Sequence, residues 1–491
     1  MRSQTAEISP SLRIPPIQSS PWQSAWLLAV AATALGSAVQ LRDGLYTPRG
    51  FIGLSIAVAA SVLVYLLPHL PSIERFRERP AAWIFGAGIA LNFLQLFTYD
   101  HPGSWHAYDD GLLRATPFYY ATLAAAAVIA AGIIYVPGSS RTLLVALVFV
   151  FCGLGAWVIH RVPLPHMDVW VLQMEGLKAL RGGHNPFAAV FPDIYHFAEL
   201  YAPGAMREGL VHQGFPYPPT VVWMDLPGYL IGGDYRWSNL AAMGLTALLI
   251  AFARPNSRLG PLAATLFLFT PRAFFMLESG WTEPVTMLLL AATVFCACRK
   301  FWGMPIFLGL FLCSKQYLIW AIPPVILLAG RPLQSRRLIH IIGIAFIAGC
   351  IASLPLILWD VRAFLTANFA IADKAGFRSD ALSYLALYAN TMHRSPSGTT
   401  ATLIGFSAAA LATLLATLRG ERSPAGYAAA VAFGHLIFFA FYKFAFCNYY
   451  YFLIAALCSA AGALELVGES RVKSQKIGSR AQAALTLHST E

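Results

Sequence analysis

The chain has 491 residues, of which 57% are hydrophobic and 12% are charged, and its mean hydropathy is +0.60. Soluble globular proteins carry about 25% charged residues, so this composition excludes an ordinary soluble protein and predicts a polytopic membrane protein. The formal net charge of +11 comes from lysines and arginines spread over short loops, which is typical of cytoplasmic loops and not of a nucleic-acid-binding surface. We therefore expect membrane lipids, and no nucleic acid, among the partners.

The first predicted unit is a polar N-terminal segment, residues 1–23, which is rich in proline and serine. It has no early apolar core of the kind that marks a cleaved signal peptide, and we expect it to lie in the cytoplasm. Apolar stretches that each have the length of a transmembrane helix follow at 24–41, 51–68, 81–98 and 116–136. They predict an N-terminal four-helix transmembrane module over 24–136.

Further apolar stretches run through residues 142–467. They lie at 142–160, 237–253, 259–277, 283–298, 302–314, 316–330, 338–358, 399–418, 425–442 and 446–467. With the first module they predict an all-α, polytopic transmembrane fold of about 13–15 spans. The seven cysteines lie in or beside these stretches, and we interpret them as packed thiols without a disulfide framework or a metal site.

The distribution of basic residues predicts the topology. A cytoplasmic amino terminus puts most arginine-rich turns and the polar tail, 468–491, inside, and it puts two long loops, 161–217 and 359–398, outside. This parity holds if the short segment 219–233, which contains Asp225 and Pro227, is re-entrant or tilted and does not cross the membrane fully, or if another short apolar stretch fails to cross.

The first outside loop begins with a predicted helix, Asp168 to Arg181. Its charged residues Asp168, Glu175 and Lys178 fall within an arc of about 80°, mostly opposite its apolar side chains, which predicts an amphipathic helix in the membrane interface. Gly182 and Gly183 end the helix, and the "HNPF" that follows predicts an extended exit. Asp168 lies only a few residues beyond an apolar stretch, where an uncompensated carboxylate is costly and is more often functional.

Three short motifs in this loop carry a resemblance to a known family. They are "HMD" at 166–168, "LRGGHNPF" at 180–187 and "FPYPP" at 215–219. Their order resembles the GT-C superfamily of membrane glycosyltransferases that use polyprenyl-phosphate sugars, particularly glycosyltransferase family 87, the bacterial polyprenol-phosphate-mannose-dependent enzymes. The resemblance covers roughly residues 142–360 and makes 142–467 the expected GT-C-like catalytic core.

The resemblance implies an inverting glycosyltransferase in the bacterial inner membrane, with its active site on the extracytoplasmic side. It would move a sugar, with mannose as the family-based expectation, from a polyprenyl-phosphate donor to a hydroxyl group of a lipid or glycan acceptor. Asp168 is the expected general base, because apolar surroundings raise the pKa of a carboxylate towards the operating range. Two features depart from the family: His166 stands where other members carry a second acid, and the module 24–136 precedes the expected first helix.

Basic residues at the predicted outer ends of helices run against the usual bias and are candidates for binding the donor phosphate. They are Arg272, Lys315 and Lys443, and the alternative is that they are ordinary cations at helix ends. Polar and aromatic residues nearby are candidates for contacts with the sugar or the acceptor. These are His166, Glu175, Lys178, His184, Asn185, Tyr217, Glu278, Trp281 and Glu283. For Glu278 and Glu283, the alternative is that they are ordinary loop acids without a role in binding.

No cofactor and no metal site are predicted. The loop histidines His166, His184, His196 and His212 could, with Asp168, hold a divalent Mg or Mn ion, but they show no tight ligand spacing. Two other functions stay open. A transporter or flippase for lipid-linked glycans would suit the many crossings, and an O-antigen-type ligase or polymerase would suit the second long loop.

Overall fold

The computed structural model of the protein describes residues 21–66, 78–98, 110–196, 205–330, 332–370 and 376–465. The predicted tail, and all of the predicted N-terminal segment except residues 21–23, lie outside these ranges. The described part is mainly helical, and its strands are few and short. The helices before the first long loop are α1 (Pro21–Gln40), α2 (Gly50–Leu66), α3 (Glu78–Thr98), α4 (Asp110–Tyr135) and α5 (Ser140–Arg161).

The remaining elements follow in chain order. The loop contains α6 (Asp168–Arg181), and after it come α7 (Pro219–Gly232), α8 (Arg236–Phe252), α9 (Leu259–Leu268), α10 (Ala273–Glu278), α11 (Glu283–Arg299) and α12 (Met304–Leu312). The last set is α13 (Ser335–Ile357), α14 (Val361–Leu365), α15 (Tyr384–Met392), α16 (Gly398–Arg419), α17 (Pro424–Ala440) and α18 (Cys447–Gly462). Short 3₁₀ helices occupy Pro137–Ser139, Pro186–Ala188, Gln316–Ala321 and Pro323–Ala329, and a π-helical turn occupies Thr366–Ala370.

Among the described residues, 5 helical segments are long and apolar enough to cross a membrane. They are Pro80–Thr98, Thr116–Tyr135, Pro137–Arg161, Ser335–Ile357 and Gly398–Arg419. The most apolar stretch of α13 is only 17% buried within the protein, and its exposed side chains are large and aliphatic, which is the surface that lipid requires. The expected all-α class and the membrane character are therefore confirmed, whereas the number of crossings stays a prediction.

Two of the predicted continuous helices are broken and a third is shortened. The stretch 259–277 divides into α9 and α10 at Arg272, whose φ of 69° lies in the left-handed region. The stretch 302–314 forms the 9-residue helix α12, and 316–330 forms two 3₁₀ helices. Each of these pieces is shorter than the roughly 20 residues that a bilayer-crossing α-helix needs.

The core is centred on α18, which is buried around almost its whole circumference. It packs against α1, α9, α11 and α17. Side chains of the predicted N-terminal module and of the predicted catalytic core therefore belong to one continuous hydrophobic cluster. The boundary predicted between residues 136 and 142 does not divide this core.

Basic turns that the sequence predicts to be cytoplasmic contact one another at one end of the helices. The Arg141 guanidinium donates to the Arg254 carbonyl oxygen at 2.8 Å, and Arg254 in turn donates to the Ala463 carbonyl at 3.0 Å. Arg258 donates to the Ile134 carbonyl at 3.0 Å. These contacts are those expected if the three segments lie on one side of the membrane.

Segments predicted to be outside also contact one another. Leu45, in the turn after α1, forms an isolated antiparallel bridge with Ala381 of the second long loop. The Phe187 ring of the first long loop meets the Phe364 ring of the second at 5.0 Å. A helix of the length of α5 spans about 33 Å, so the two groups of turns are at opposite ends. Which end faces the cytoplasm stays a prediction from the basic residues.

The helix α7 begins and ends near residues of the outside group. Trp170 of the first loop donates its indole N–H to Asp234, just beyond the end of α7, at 3.2 Å. Trp223 donates to the Ala352 carbonyl, near the end of α13, at 2.7 Å. This placement supports the interpretation of residues 219–233 as a segment that does not cross the membrane.

The first loop also contains a small antiparallel sheet that the sequence did not predict. Its strands are β1 (Phe191–Pro192), β2 (Met206–Arg207) and β3 (Leu210–Val211), in the order β1-β3-β2. Glu208 and Gly209 join β2 to β3 with φ values of 51° and 74°. Positive φ at both central residues is the type I′ turn that matches the twist of a hairpin.

Candidate active site

The predicted interfacial helix is confirmed in its span as α6, Asp168–Arg181. Its end is set by glycine: Gly183 adopts a φ of 76°, which glycine tolerates without strain. Leu172, Gln173 and Leu177 are buried, and Lys178 is exposed, so the helix packs one face against the loop core. Asp168 is thereby placed at the amino-terminal end of a fixed helix.

Asp168 is partly buried, and three hydrogen bonds hold it, two of them to its carboxylate. Its Oδ1 accepts from the Val169 backbone N–H at 2.8 Å. The Tyr195 hydroxyl accepts from the Asp168 backbone N–H at 3.0 Å and donates to Oδ1 at 3.3 Å. No ion pair involving this carboxylate is found in the described part of the chain.

The surroundings of Asp168 change its acidity. Burial raises the pKa of the Asp168 carboxyl above its ordinary value, and this effect exceeds the opposing hydrogen bonds from Val169 and Tyr195 and the positive charge of Arg378. A carboxylate with a raised pKa is a stronger base than a solvated one. The expectation that Asp168 lies in a setting that raises its pKa is therefore confirmed.

Tyr195 was not among the predicted site residues, and His166 supports it. The His166 Nε2 donates to the Ile194 carbonyl oxygen at 2.8 Å, and its ring meets the Tyr195 ring edge to face at 5.5 Å. Asp193 accepts the Tyr195 backbone N–H at 3.1 Å and so turns the chain. In the structure His166 thus positions the tyrosine that contacts Asp168.

A second polar cluster brings together residues that are far apart in sequence. The Lys315 Nζ lies 2.9 Å from Glu283 Oε1, and the Asn448 side-chain amide donates to the same oxygen at 3.0 Å. The Lys315 ammonium also lies 4.7 Å from the centre of the Tyr217 ring. Lys315 is 6% exposed and Glu283 is 1% exposed, so this is a buried ion pair. Lys315, Glu283 and Tyr217 were all predicted, whereas Asn448 was not.

Tyr217 connects the second cluster to Asp168. Burial raises the pKa of the Tyr217 hydroxyl well above its ordinary value, and the negative charges of Asp168 and Glu283 raise it further. Both carboxylates therefore act on the same hydroxyl group. The structure thus places the Lys315 ammonium against the Tyr217 ring, and the charge of Asp168 acts on the hydroxyl group of the same tyrosine.

The other two predicted phosphate-binding cations have separate surroundings. Arg272 Nε lies 2.8 Å from Asp43 Oδ1, and its guanidinium reaches towards the Gln40 carbonyl, so it joins the turn after α1 to the core. Lys443 is 2% exposed and lies 6.0 Å and 5.7 Å from the ring centres of Tyr442 and Phe444.

Residues on the far part of α6 are not brought to Asp168. Glu175 and Lys178 form an exposed ion pair at 3.3 Å, two helical turns or about 10 Å along the axis from Asp168. His184 is exposed. The Asn185 side chain accepts the Phe187 backbone N–H at 2.9 Å and caps the 3₁₀ helix that follows. Their placement is that of residues that shape the loop.

Glu278 and Trp281 lie at the junction of α10 and α11. Glu278 is 3% exposed, and its backbone carbonyl accepts from Arg236 at 3.2 Å. The Trp281 ring packs against Phe275 at 5.3 Å, and its carbonyl accepts from Asn239 at 3.0 Å. In the structure Trp281 is thus partly buried against Phe275.

No group of three or more His, Cys, Asp or Glu side chains that could hold a metal ion occurs among the described residues. The seven cysteines are all free thiols.

Comparisons of the chain with protein-family models, with curated proteins and with solved structures find no match.

The buried ion pair predicts the effect of removing its cation. Lys315→Met leaves the Glu283 carboxylate buried with Asn448 as its remaining partner, so we expect a loss of about 3–5 kcal/mol in the free energy of unfolding. The double variant Lys315→Met/Glu283→Gln removes both charges and should regain most of that loss. Thermal unfolding in detergent measures both. If the double variant is as unstable as the single variant, the explanation of the loss by an unpaired buried carboxylate is contradicted.

Proposed function

We propose that the protein is an inverting glycosyltransferase on the extracytoplasmic face of a bacterial inner membrane. It moves a sugar from a polyprenyl-phosphate donor to a hydroxyl group of a lipid or glycan acceptor. The observation that carries the proposal is the Asp168 carboxylate, which is partly buried, has a raised pKa and makes no ion pair in the described ranges. The resemblance of the surrounding motifs to the GT-C enzymes is the reason for proposing a polyprenyl-phosphate sugar as the donor.

The reaction gives Asp168 one defined role. The acceptor O–H proton moves to the Asp168 carboxylate while the acceptor oxygen forms a bond to the anomeric carbon of the sugar. The bond from that carbon to the phosphate oxygen breaks, and its electron pair leaves with the polyprenyl phosphate. Attack and departure on opposite sides of the carbon invert its configuration. General-base catalysis of this kind contributes about 10²–10⁴-fold.

Lys315 is the cation that we place near the departing phosphate. Its ammonium lies over Tyr217, which also feels the charge of Asp168, whereas Arg272 is paired with Asp43 in another part of the protein. An ammonium group has three N–H donors, and one of them serves Glu283. The others can stabilise the charge that develops on the phosphate, and Glu283 keeps the lysine in position before the donor binds.

Asp168→Asn tests the base directly. The asparagine oxygen can still accept from Val169 and Tyr195, so the fold is kept, but the amide cannot take a proton. We expect sugar transfer to fall by about 10²–10⁴-fold with an unchanged melting temperature. The matched control is Glu208→Gln, an exposed acid on the β2–β3 turn of the same loop, which should retain activity. Full transfer activity of Asp168→Asn would contradict the proposal. If the protein moves the sugar-linked lipid across the membrane without transferring the sugar, the alternative function of a flippase is favoured.

The pH dependence of transfer tests the surroundings of Asp168. The base is the ionised form, so the rate should fall as the pH falls through the raised pKa of Asp168. Tyr195→Phe removes a hydrogen bond that stabilises the carboxylate, so the pKa rises further and the acidic limb of the profile moves to higher pH. Transfer rates measured from acidic to neutral pH give the acidic limb of the wild type and that of Tyr195→Phe. An acidic limb that stays in place, or moves to lower pH, in Tyr195→Phe would contradict this role.

A further inference from the structure

A cleft of about 290 Å³ lies where the two long outside loops meet. Its walls come from residues 187–190, from residues 212–214 and from the start of α14 with the turn after it. Of the residues that the sequence analysis singled out, His212 lines it, and the predicted base, phosphate-binding and sugar-binding residues do not. Its volume is close to the lower limit for small-molecule sites, which run from about 300 to 1,000 Å³.

The walls of the cleft are fixed by packing beneath them. The Phe187 ring meets Phe364 below α14 at 5.0 Å. Gly214 adopts a φ of 68°, and any Cβ there would collide with the Phe187 carbonyl oxygen, so glycine allows the two loop segments to approach closely. The Asp360 side chain accepts the Ala363 backbone N–H at 2.9 Å and caps α14. The cleft therefore exists before any ligand binds.

The chemistry of the lining indicates the class of ligand. The polar residues that line the cleft are His212, Gln213, Asp360, Arg362 and Thr366, and they lie opposite or beside the apolar residues 187–190. They combine one acid, one permanent cation, an amide, an imidazole and a hydroxyl, so hydrogen-bond donors and acceptors are mixed and the charge is nearly balanced. A phosphate site would gather cations, and a site for an isoprenoid chain would be apolar. Mixed donors and acceptors suit a neutral ligand that is rich in hydroxyl groups.

The cleft lies near Asp168 along the chain. Val190 on its rim is five residues from Tyr195, and five extended residues span at most about 18 Å. Tyr195 itself donates to the Asp168 carboxylate. A ligand held in the cleft could therefore reach the carboxylate through a few linked sugar units.

We propose that this cleft binds the remote sugar units of an oligosaccharide acceptor while the reacting hydroxyl lies at Asp168. The inference rests on the proposed function and narrows the acceptor to a glycan. One apolar wall, at residues 187–190, and polar residues at 212–213 and 360–366 suit a sugar chain, because sugar rings have apolar faces and hydroxyl groups at their edges. The remote contacts contribute to acceptor binding without touching the reacting atoms.

Kinetics with acceptors of different length test the cleft. Gln213→Ala and Arg362→Ala each remove hydrogen bonds to a long acceptor, so KM for a long oligosaccharide should rise roughly tenfold with kcat unchanged. A monosaccharide glycoside, which is too short to reach the cleft, should show unchanged constants in both variants. Arg207→Ala, an exposed residue outside the cleft, is the control and should behave as the wild type. An equal loss for short and long acceptors, or no loss for either, would overturn the inference.

Binding measured without turnover separates this inference from the proposed reaction. Manno-, malto- and galacto-oligosaccharides are tested against the full-length Asp168→Asn variant in lipid nanodiscs by saturation-transfer NMR. We expect at least one series to bind in a length-dependent manner, and Arg362→Ala in the same background to weaken that binding roughly tenfold. If Asp168→Asn keeps full transfer activity and oligosaccharide binding persists, the role of Asp168 as the base is contradicted, whereas the proposal that the cleft binds a glycan is retained. Absence of binding by every series would overturn the cleft.

Discussion

A charged group in an apolar protein must be paired or solvated, and this constraint organises the polar part of the structure. Arg236, with a side chain that is 0% exposed, is paired with Asp234 at 2.7 Å, and Lys315 is paired with Glu283 at 2.9 Å. Asp168 differs from these groups, because hydrogen bonds from Val169 and Tyr195 hold it without a contacting cation in the described ranges. A paired carboxylate is stabilised as an ion and is a poor base, whereas an unpaired one in apolar surroundings keeps its affinity for a proton. Asp168 thus differs from the acids of these two ion pairs, and it is the acid to which we assign the chemistry.

The same constraint explains where the helices break. Apolar periodicity predicts a continuous helix over 259–277 and separate helices over 302–314 and 316–330, because hydropathy averages over a window and one charged residue barely lowers it. The structure breaks the first stretch at Arg272 and forms only short helices on both sides of Lys315, two cations that the sequence had already singled out. At each break the side chain reaches an acid on another element, Asp43 or Glu283. The partners are distant in sequence, so the breaks follow from tertiary contacts that no local pattern contains.

The parts of the fold and of the candidate site that could be predicted from the sequence are those whose signal lies in neighbouring residues of the chain. The span of α6 follows from local features, since Asp168 begins it and two glycines end it, and the structure confirms both ends. The meeting of Tyr217 with Lys315 was not predictable, although each residue was proposed separately, because it needs the packing of distant segments. Tyr195 escaped prediction because it lies in an irregular loop, and only the turn-forming Asp193 before it gave a signal. The strands of the small sheet are 2 residues long and show no alternation.

The central claim is that the carboxylate on α6 takes the acceptor proton while a lipid-linked sugar is transferred. The most direct measurement is an assay of the purified protein in lipid vesicles, with a panel of polyprenyl-phosphate sugars as donors and oligosaccharides as acceptors. The products are analysed by NMR for anomeric configuration and by mass spectrometry for released lipid. The account predicts a new glycosidic bond of inverted configuration and one free polyprenyl phosphate for each sugar transferred. Retention of configuration, or no release of polyprenyl phosphate from any donor, would contradict it.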